Sequence, residues 1–101
     1  MARLIWTEKA VNDLDDISEF IAFDNPAAAR RLVDRVTSHV DQLVKHPLSG
    51  PIVADFPGGK YRQIIEHPCR IIYRYDDSNV IVLRVLRTER LLRPSIVDDW
   101  E

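Results

Sequence analysis

Apolar residues recur every three or four positions along the first half of the chain, and this spacing is typical of amphipathic helices. The first series consists of Ala10, Val11, Leu14, Ile17, Phe20 and Ile21. The second series consists of Ala29, Leu32, Val33, Val36, Val40, Leu43 and Val44. The opposite face of the first helix carries Asp13, Asp15, Asp16 and Glu19. We expect this acidic face to be solvated and not to form a catalytic pair.

Residues with strong capping preferences mark the ends of both helices. Thr7 is a good N-cap for the first helix, which we expect to end near Asp24. Asn25 is a good N-cap for the second helix, and Pro26 occupies its first position, where the missing N–H costs nothing. Pro47 is expected to end the second helix. Because so few residues separate the helices, they must fold back as an antiparallel pair.

Four β-prone runs complete the pattern. Residues 3–6 precede the first helix, and residues 61–67, 69–75 and 80–87 follow a loop over 47–59. Turn residues between the last two runs predict a hairpin. A proline between the preceding two runs marks another turn or a bulge, because proline cannot donate to a central ladder.

These elements predict an α+β fold in the order β-α-α-β-β-β. An N-terminal antiparallel helical hairpin would pack on one face of a small antiparallel sheet. We expect a single domain over 1–101, with the first strand and hairpin in 1–46, the sheet in 60–90 and a tail in 91–101. The other sheet face is expected to be open, with arginines and tyrosines available to cover it.

Composition narrows the class of protein. The chain is 46% hydrophobic and 30% charged, which is ordinary for a folded protein and excludes a disordered one. No apolar run approaches the roughly 20 residues of a membrane helix, and the N-terminal residues lack the apolar stretch of a signal peptide. Cys69 is the only cysteine, so no internal disulfide is expected. We therefore expect a cytoplasmic protein with no membrane partner.

The net charge of −2 conceals an uneven distribution. Residues 1–59 sum to −3, residues 60–93 to +4 and residues 94–101 to −3. The basic residues of the middle segment are Lys60, Arg62, Arg70, Arg74, Arg84, Arg87, Arg90 and Arg93. Arginine suits bidentate contacts with carboxylate or phosphate, so its excess over lysine favours a binding role for the cluster. Taken singly, surface arginines more often only solvate, and we assign Arg74 and Arg84 to that role.

Several other chemistries are poorly supported by the sequence. His39, His46 and His67 lie far apart and lack the spacing of metal ligands, so no metal site is predicted. Phosphate-loop and dinucleotide-binding motifs are missing, so no cofactor is expected. Cys69 lies in a predicted strand, where a cysteine is more often a small core residue than a nucleophile.

Short motifs in a fixed order carry a resemblance to a known family. The motifs are Trp6-Thr7 with Ala10 and Asp13-Leu14, Ile17 to Ile21, Asn25-Pro26-Ala27-Ala28-Ala29, Pro47-Leu48-Ser49-Gly50, Tyr61-Arg62, Arg70-Ile71-Ile72-Tyr73, and Val80 to Arg87 followed by Arg90. In these motifs the chain resembles the ParE/RelE superfamily of bacterial toxins, over nearly its whole length. The resemblance implies the toxin of a type II toxin–antitoxin system, with a cognate ParD-like antitoxin as partner.

The superfamily contains two activities, and the resemblance helps to choose between them. RelE-like members are ribosome-dependent endonucleases that cut messenger RNA, whereas ParE-like members poison DNA gyrase. Arg70 matches the strand arginine of the family, but only Lys60 lies near the place where cleaving relatives have a lysine-rich sheet edge. Where some relatives carry histidine or tyrosine after the last strand, this chain has Arg87-Thr88-Glu89-Arg90. Arginine stays charged and is a poor proton shuttle.

The resemblance therefore implies the ParE-like branch, which is a gyrase inhibitor and not an enzyme. The target-binding residues it implies are Arg62, Arg70, Arg87 and Arg90.

Two alternatives remain open from the sequence. In the first, a RelE-like nuclease would hold phosphate with Arg70 and Arg87, and Glu89 or His67 would transfer protons. In the second, the chain would be a non-catalytic binding module whose arginines serve the antitoxin or operator DNA. The toxin–antitoxin complex could bind operator DNA in any of these cases, although the slightly acidic chain argues against strong binding by the toxin alone.

Overall fold

The computed structural model of the protein describes residues 2–54, 56 and 58–89. Its elements, in chain order, are β1 (Arg3–Trp6), α1 (Glu8–Asp24), α2 (Pro26–Gln42), β2 (Arg62–Glu66), β3 (Cys69–Asp76) and β4 (Asn79–Arg87). This order confirms the predicted β-α-α-β-β-β arrangement and the α+β class. Arg90 and the predicted tail over 91–101 lie outside the described residues.

The capping residues act as the sequence predicted. The Thr7 hydroxyl accepts a hydrogen bond from the Ala10 N–H at 3.1 Å and donates to the Leu83 carbonyl of β4 at 3.0 Å. The Asn25 side chain accepts from the Ala28 N–H at 3.1 Å, with Pro26 in the first helical position. Each cap satisfies an N–H that the helix itself leaves unpaired. The Thr7 cap also fixes the start of α1 to the sheet.

The second helix ends earlier than its proline signal predicted. Regular α-helix stops at Gln42, and the next three residues form a tighter turn. In this turn the N–H of Leu43 bonds the Val40 carbonyl at 2.9 Å, and the N–H of Val44 bonds the Asp41 carbonyl at 3.2 Å. Bonds to the third preceding residue commonly tighten the last turn of a helix, so the apolar series continues past the α-helix proper.

The sheet has the strand order β1-β4-β3-β2. β2 pairs antiparallel with β3, and β3 pairs antiparallel with β4. β1 pairs in parallel with β4, so the sheet is mixed and not wholly antiparallel as expected from the sequence. A short apolar run carries no information about strand direction. The hairpin returns the chain to the far edge of the sheet, and the later strands then lead back to β1.

The main core lies between the helices and one sheet face. Its buried members are Ala10, Leu14, Leu32, Val36, Val40, Leu43, Ile64, Cys69, Ile71, Tyr73, Val80, Val82 and Val85. Cys69 is a buried free cysteine, which agrees with its predicted role as a small core residue. We call this side of the sheet the helix face.

The opposite sheet face, which we call the outer face, is partly covered and not open as expected. A second buried cluster there consists of Val53, Tyr61, Ile72, Leu83 and Leu86. Loop residues supply this cover, because the Val53 N–H bonds the Tyr61 carbonyl at 2.9 Å and Ile52 forms a bridge with Arg62. The turn-rich composition of this loop concealed the apolar residues that pack on the sheet.

Tyr73 fastens the segment after α2 to the sheet. It is fully buried in β3, where its hydroxyl donates to the Pro47 carbonyl at 2.8 Å and accepts from the Gly50 N–H at 3.0 Å. Burial raises the pKa of Tyr73, against the opposing effects of the Gly50 hydrogen bond and the Arg62 charge. The folded protein therefore holds this hydroxyl in its protonated form more strongly than the unfolded chain does.

Stability should consequently decline at alkaline pH. Because the folded pKa of Tyr73 is raised, its contribution is fully present below the unfolded tyrosine pKa of about 10 and is lost as pH rises through the folded value. Urea unfolding across this range should show a drop that Tyr73→Phe reduces and that Tyr75→Phe, at an exposed position, keeps. Burial also raises the pKa of Cys69, so Cys69→Ala is measured in parallel. An unchanged alkaline drop in Tyr73→Phe would contradict this assignment.

Candidate functional site

Arg70 and Arg87 lie on opposite faces of the sheet. Arg70 is directly opposite Leu86, and Arg87 is directly opposite Cys69. Residues opposite each other on antiparallel strands project to the same face. Leu86 belongs to the outer cluster and Cys69 to the main core. Arg70 therefore projects to the outer face and Arg87 to the helix face, so the structure does not bring these two predicted site residues together.

Arg70 is held by a neighbour on β2. Its Nε and Nη2 both donate to the Gln63 side-chain oxygen, with a distance of 3.0 Å from Nε. The side chain is half-buried on the outer face. This contact fixes the guanidinium in the sheet and leaves it only partly accessible to a target.

Arg87 lies at the end of β4, beside the first helix. Its Nε donates to a Glu89 carboxylate oxygen at 2.6 Å, and its guanidinium carbon is 5.9 Å from the centroid of the Phe20 ring. The hydrogen bond from Arg87 lowers the pKa of Glu89. Glu89 therefore remains ionised at neutral pH and is a poor general acid. The Arg87 side chain is 42% exposed.

Arg62 has a structural task at the start of β2. Its Nη1 donates to the Leu48 carbonyl at 3.2 Å and to the Gly50 carbonyl at 2.9 Å. Arg62, Arg70 and Arg87 thus occupy three separate places, and Arg90 falls outside the described residues.

Asp13 corrects the expectation of a wholly solvated acidic face. Its two carboxylate oxygens bind Arg84, at 2.7 Å from Nε and 3.1 Å from Nη2. The same carboxylate accepts the Val85 N–H at 3.0 Å, on the part of β4 that extends beyond β1. The Asp13 and Arg84 side chains are only 18% and 12% exposed. Arg84 therefore binds α1 to β4 and does not simply solvate the surface.

A cleft at one end of the sheet was missed by the sequence interpretation. It encloses about 350 Å³ and is lined by Leu48, Gly59, Lys60, Arg62, Arg74, Tyr75 and Asp76. We call it the basic cleft. It forms where β3 continues past the start of β2, since Arg62 pairs with Tyr73 and the three following residues of β3 have no β2 partner. If the sequence interpretation had assumed a two-residue turn at His67-Pro68, it would have predicted this strand register. The register in turn brings Arg62 close to Arg74.

A histidine–carboxylate pair was also missed. His39 Nδ1 lies 2.7 Å from a Glu66 carboxylate oxygen, and Arg35 Nε lies 3.6 Å from the other oxygen. Arg35 also donates to the His67 carbonyl at 3.3 Å. These contacts join α2 to the turn between β2 and β3. Because 27 positions separate His39 from Glu66, no local motif marks the pair.

The described residues contain no group of three or more metal-ligating side chains. Within the same part of the chain, none of the helices is both long and apolar enough to cross a membrane.

Comparisons with known proteins agree with this geometry. Residues 4–92 match the family model described as ParE toxin of type II toxin-antitoxin system, parDE. The Caulobacter vibrioides protein named Toxin RelE2 is 29% identical over 92 residues, which cover 90% of this chain and all of that protein. The Sinorhizobium fredii protein Y4kP is 44% identical over 48 residues, about half the length of either protein.

A solved structure from P. aeruginosa, described as a chromosomal ParDE TA system, superposes with a TM-score of 0.76 and 26% identity. The match covers 88% of this chain and 98% of that one. With the fold and the family model in agreement, the chain belongs to the ParE toxin family of type II toxin–antitoxin systems.

Proposed function

We propose that this toxin inhibits DNA gyrase in the cytoplasm and is neutralised by a cognate ParD-like antitoxin. Membership of the ParE family and the likeness to a ParDE system support the proposal. The observation that favours it over RNA cleavage is the placement of Arg70 and Arg87 on opposite sheet faces. The Arg87 side chain is 42% exposed beside Phe20, so it is accessible to a large protein target.

RNA cleavage makes stricter demands on the site. Attack by a 2′-hydroxyl needs cationic groups around one phosphate, with an acid and a base in reach of the reacting oxygens. Arg70 and Arg87 cannot surround one phosphate from opposite faces, and the Glu89 carboxylate is bound to Arg87. The positions of these arginines are therefore better suited to binding a protein partner than to cleaving RNA.

A RelE-like nuclease is the second candidate, because one observation favours it. The His39–Glu66 pair could move protons, with the Arg35 charge beside it. Toxin RelE2 is also among the relatives of the chain. However, the pair lies where α2 meets the end of β2, whereas Arg70 projects from the outer face. A purely structural tie between helix and sheet accounts for the same contacts.

A gyrase supercoiling assay tests the proposal directly. The purified toxin should block supercoiling and accumulate cleaved DNA, and the co-expressed antitoxin should restore activity. Arg87→Ala should weaken inhibition about tenfold, as expected for an interface arginine. Arg31→Ala, at an exposed position on α2, should leave it unchanged.

Folded toxin that leaves gyrase active would refute the proposal. In that case, primer extension on translated messages tests the second candidate. Cuts that disappear in His39→Ala while circular dichroism shows a retained fold would indicate cleavage that depends on the histidine–carboxylate pair. If neither assay responds while the antitoxin still binds, the chain is a non-catalytic binding module, and its complex is then tested for operator DNA binding.

A further inference from the structure

Arg74 differs from the other arginines of β2, β3 and β4. Arg62, Arg70, Arg84 and Arg87 each donate to an oxygen inside the protein. The Nε of Arg74 is buried, and within the described part of the chain it has no hydrogen-bond partner. Because an unpaired buried donor is unfavourable, an acceptor brought to this guanidinium would be stabilising. The side chain lines the basic cleft, so a ligand bound there would lie beside this guanidinium.

The basic cleft is suited to a small anion carried on a larger molecule. Three cationic side chains and one carboxylate line it, so its described wall carries excess positive charge. Arginine forks bind phosphate through paired N–H donors, and Arg62 uses only Nη1 for its contacts with the loop. The volume of about 350 Å³ is in the range of small-molecule sites. The charge and size together indicate a phosphate with a small organic group attached.

Two other residues that line the basic cleft, Tyr75 and Asp76, indicate the nature of this organic group. Tyr75 is 40% exposed and offers an aromatic ring on which a nucleobase can stack. Asp76, at the end of β3, can accept hydrogen bonds from the hydroxyl or amino groups of a nucleoside. We propose that the basic cleft binds a nucleoside phosphate, with Arg62 and Arg74 on the phosphate and Tyr75 against the base.

This proposal goes beyond gyrase inhibition and does not depend on it. The nucleoside phosphate has two possible sources, a free nucleotide or one unit of a single-stranded nucleic acid. Isothermal titration of the full chain distinguishes them with three probes, which are inorganic phosphate, adenosine 5′-monophosphate and a single-stranded thymidine pentanucleotide. We expect the mononucleotide to bind more tightly than inorganic phosphate because of the stacked base. Much tighter binding of the pentanucleotide would identify a strand as the ligand, and equal binding would identify a free nucleotide.

Variants assign the binding to the basic cleft. Arg74→Gln should weaken binding of all three probes about tenfold, since a charge-assisted hydrogen bond is lost. Arg74→Lys should recover part of the loss, because it restores the charge without the fork. Tyr75→Leu should remove the advantage of the nucleotide over inorganic phosphate and leave phosphate binding intact. Arg31→Gln, the matched control on α2, should bind like the parent chain.

Two outcomes would overturn the proposal. The first is the lack of saturable binding of the mononucleotide and the pentanucleotide to the parent chain at millimolar concentrations. The second is an equal loss of binding in Arg31→Gln and Arg74→Gln, which would indicate general attraction to positive charge. Circular dichroism of each variant verifies that the fold is retained. Because the titration contains no gyrase, its failure would leave the supercoiling result unaffected.

Discussion

Asp13→Ala is expected to lower the free energy of unfolding by about 3 kcal/mol, because it removes one partner of a largely buried ion pair. Three hydrogen bonds end on this carboxylate, two from Arg84 and one from the Val85 N–H. Without it, the Arg84 side chain, which is 12% exposed, loses both of its hydrogen bonds to Asp13, and the Val85 N–H loses this acceptor. Urea unfolding followed by circular dichroism measures the difference.

Asp15→Ala is the matched control for this measurement. Asp15 is exposed two positions further along α1, so its replacement makes the same gain in helix propensity without breaking the contact with β4. It should change stability by less than about 0.5 kcal/mol. Adding Arg84→Met to Asp13→Ala should recover part of the loss, because an apolar side chain can occupy the site without a counter-charge. A loss for Asp13→Ala no larger than the control would show that this ion pair contributes little.

The starts of both helices were predictable because their signals are local. Thr7 and Asn25 each bond an N–H three residues ahead, and Pro26 acts within its own turn. The role of Asp13 was not predictable, since its partners lie 71 and 72 positions away. Its place among other acids on a helix made solvation the natural interpretation. Only the packing of α1 against β4 shows that Asp13 binds Arg84, whereas Asp15 on the same helix is exposed.

The separation of the predicted arginines depends on strand register. In β4, Arg84 pairs with Ile72 and Val82 pairs with Tyr73, so a bulge leaves Leu83 without a partner in this register. Alternation counted from one end of the strand therefore does not hold at the other. A sequence pattern identifies which residues are cationic but not the face on which each lies. The grouping of Arg62, Arg70, Arg87 and Arg90 therefore came from family resemblance. Arg74, which was assigned to solvation, instead lines the basic cleft.

The close approach of Gly50 to the sheet leads to the second large expected effect. A Cβ atom at this position would lie 2.7 Å from the Gln63 carbonyl oxygen and 2.7 Å from the Tyr73 hydroxyl oxygen. Neither neighbour can yield easily, because the first is backbone of β2 and the second is fully buried and bonded to Pro47. Gly50→Ala should therefore cost about 3 kcal/mol, from overpacking together with the weakened hydrogen bond.

Gly59, in the same loop, provides a control at which an added Cβ atom meets no close neighbour. Gly59 has a φ of +64°, and a Cβ atom there would meet nothing nearer than 3.5 Å. Gly59→Ala should therefore cost only the strain of a left-handed backbone, about 1 kcal/mol. The ratio of the two losses, measured by urea unfolding, separates steric exclusion at Gly50 from backbone strain at Gly59. Equal losses would contradict the close approach at Gly50.

Combining Gly50→Ala with Tyr73→Phe tests the contact itself. Tyr73→Phe removes the hydroxyl that both accepts from Gly50 and donates to Pro47, so alone it should cost about 2 kcal/mol. The two replacements disturb the same hydrogen bond, and the loss of the hydroxyl also removes one of the atoms that a Cβ would meet. The double variant should therefore lose about 1 kcal/mol less than the sum of the single losses. Strict additivity would mean that the segment after α2 is not fastened to the sheet through Tyr73.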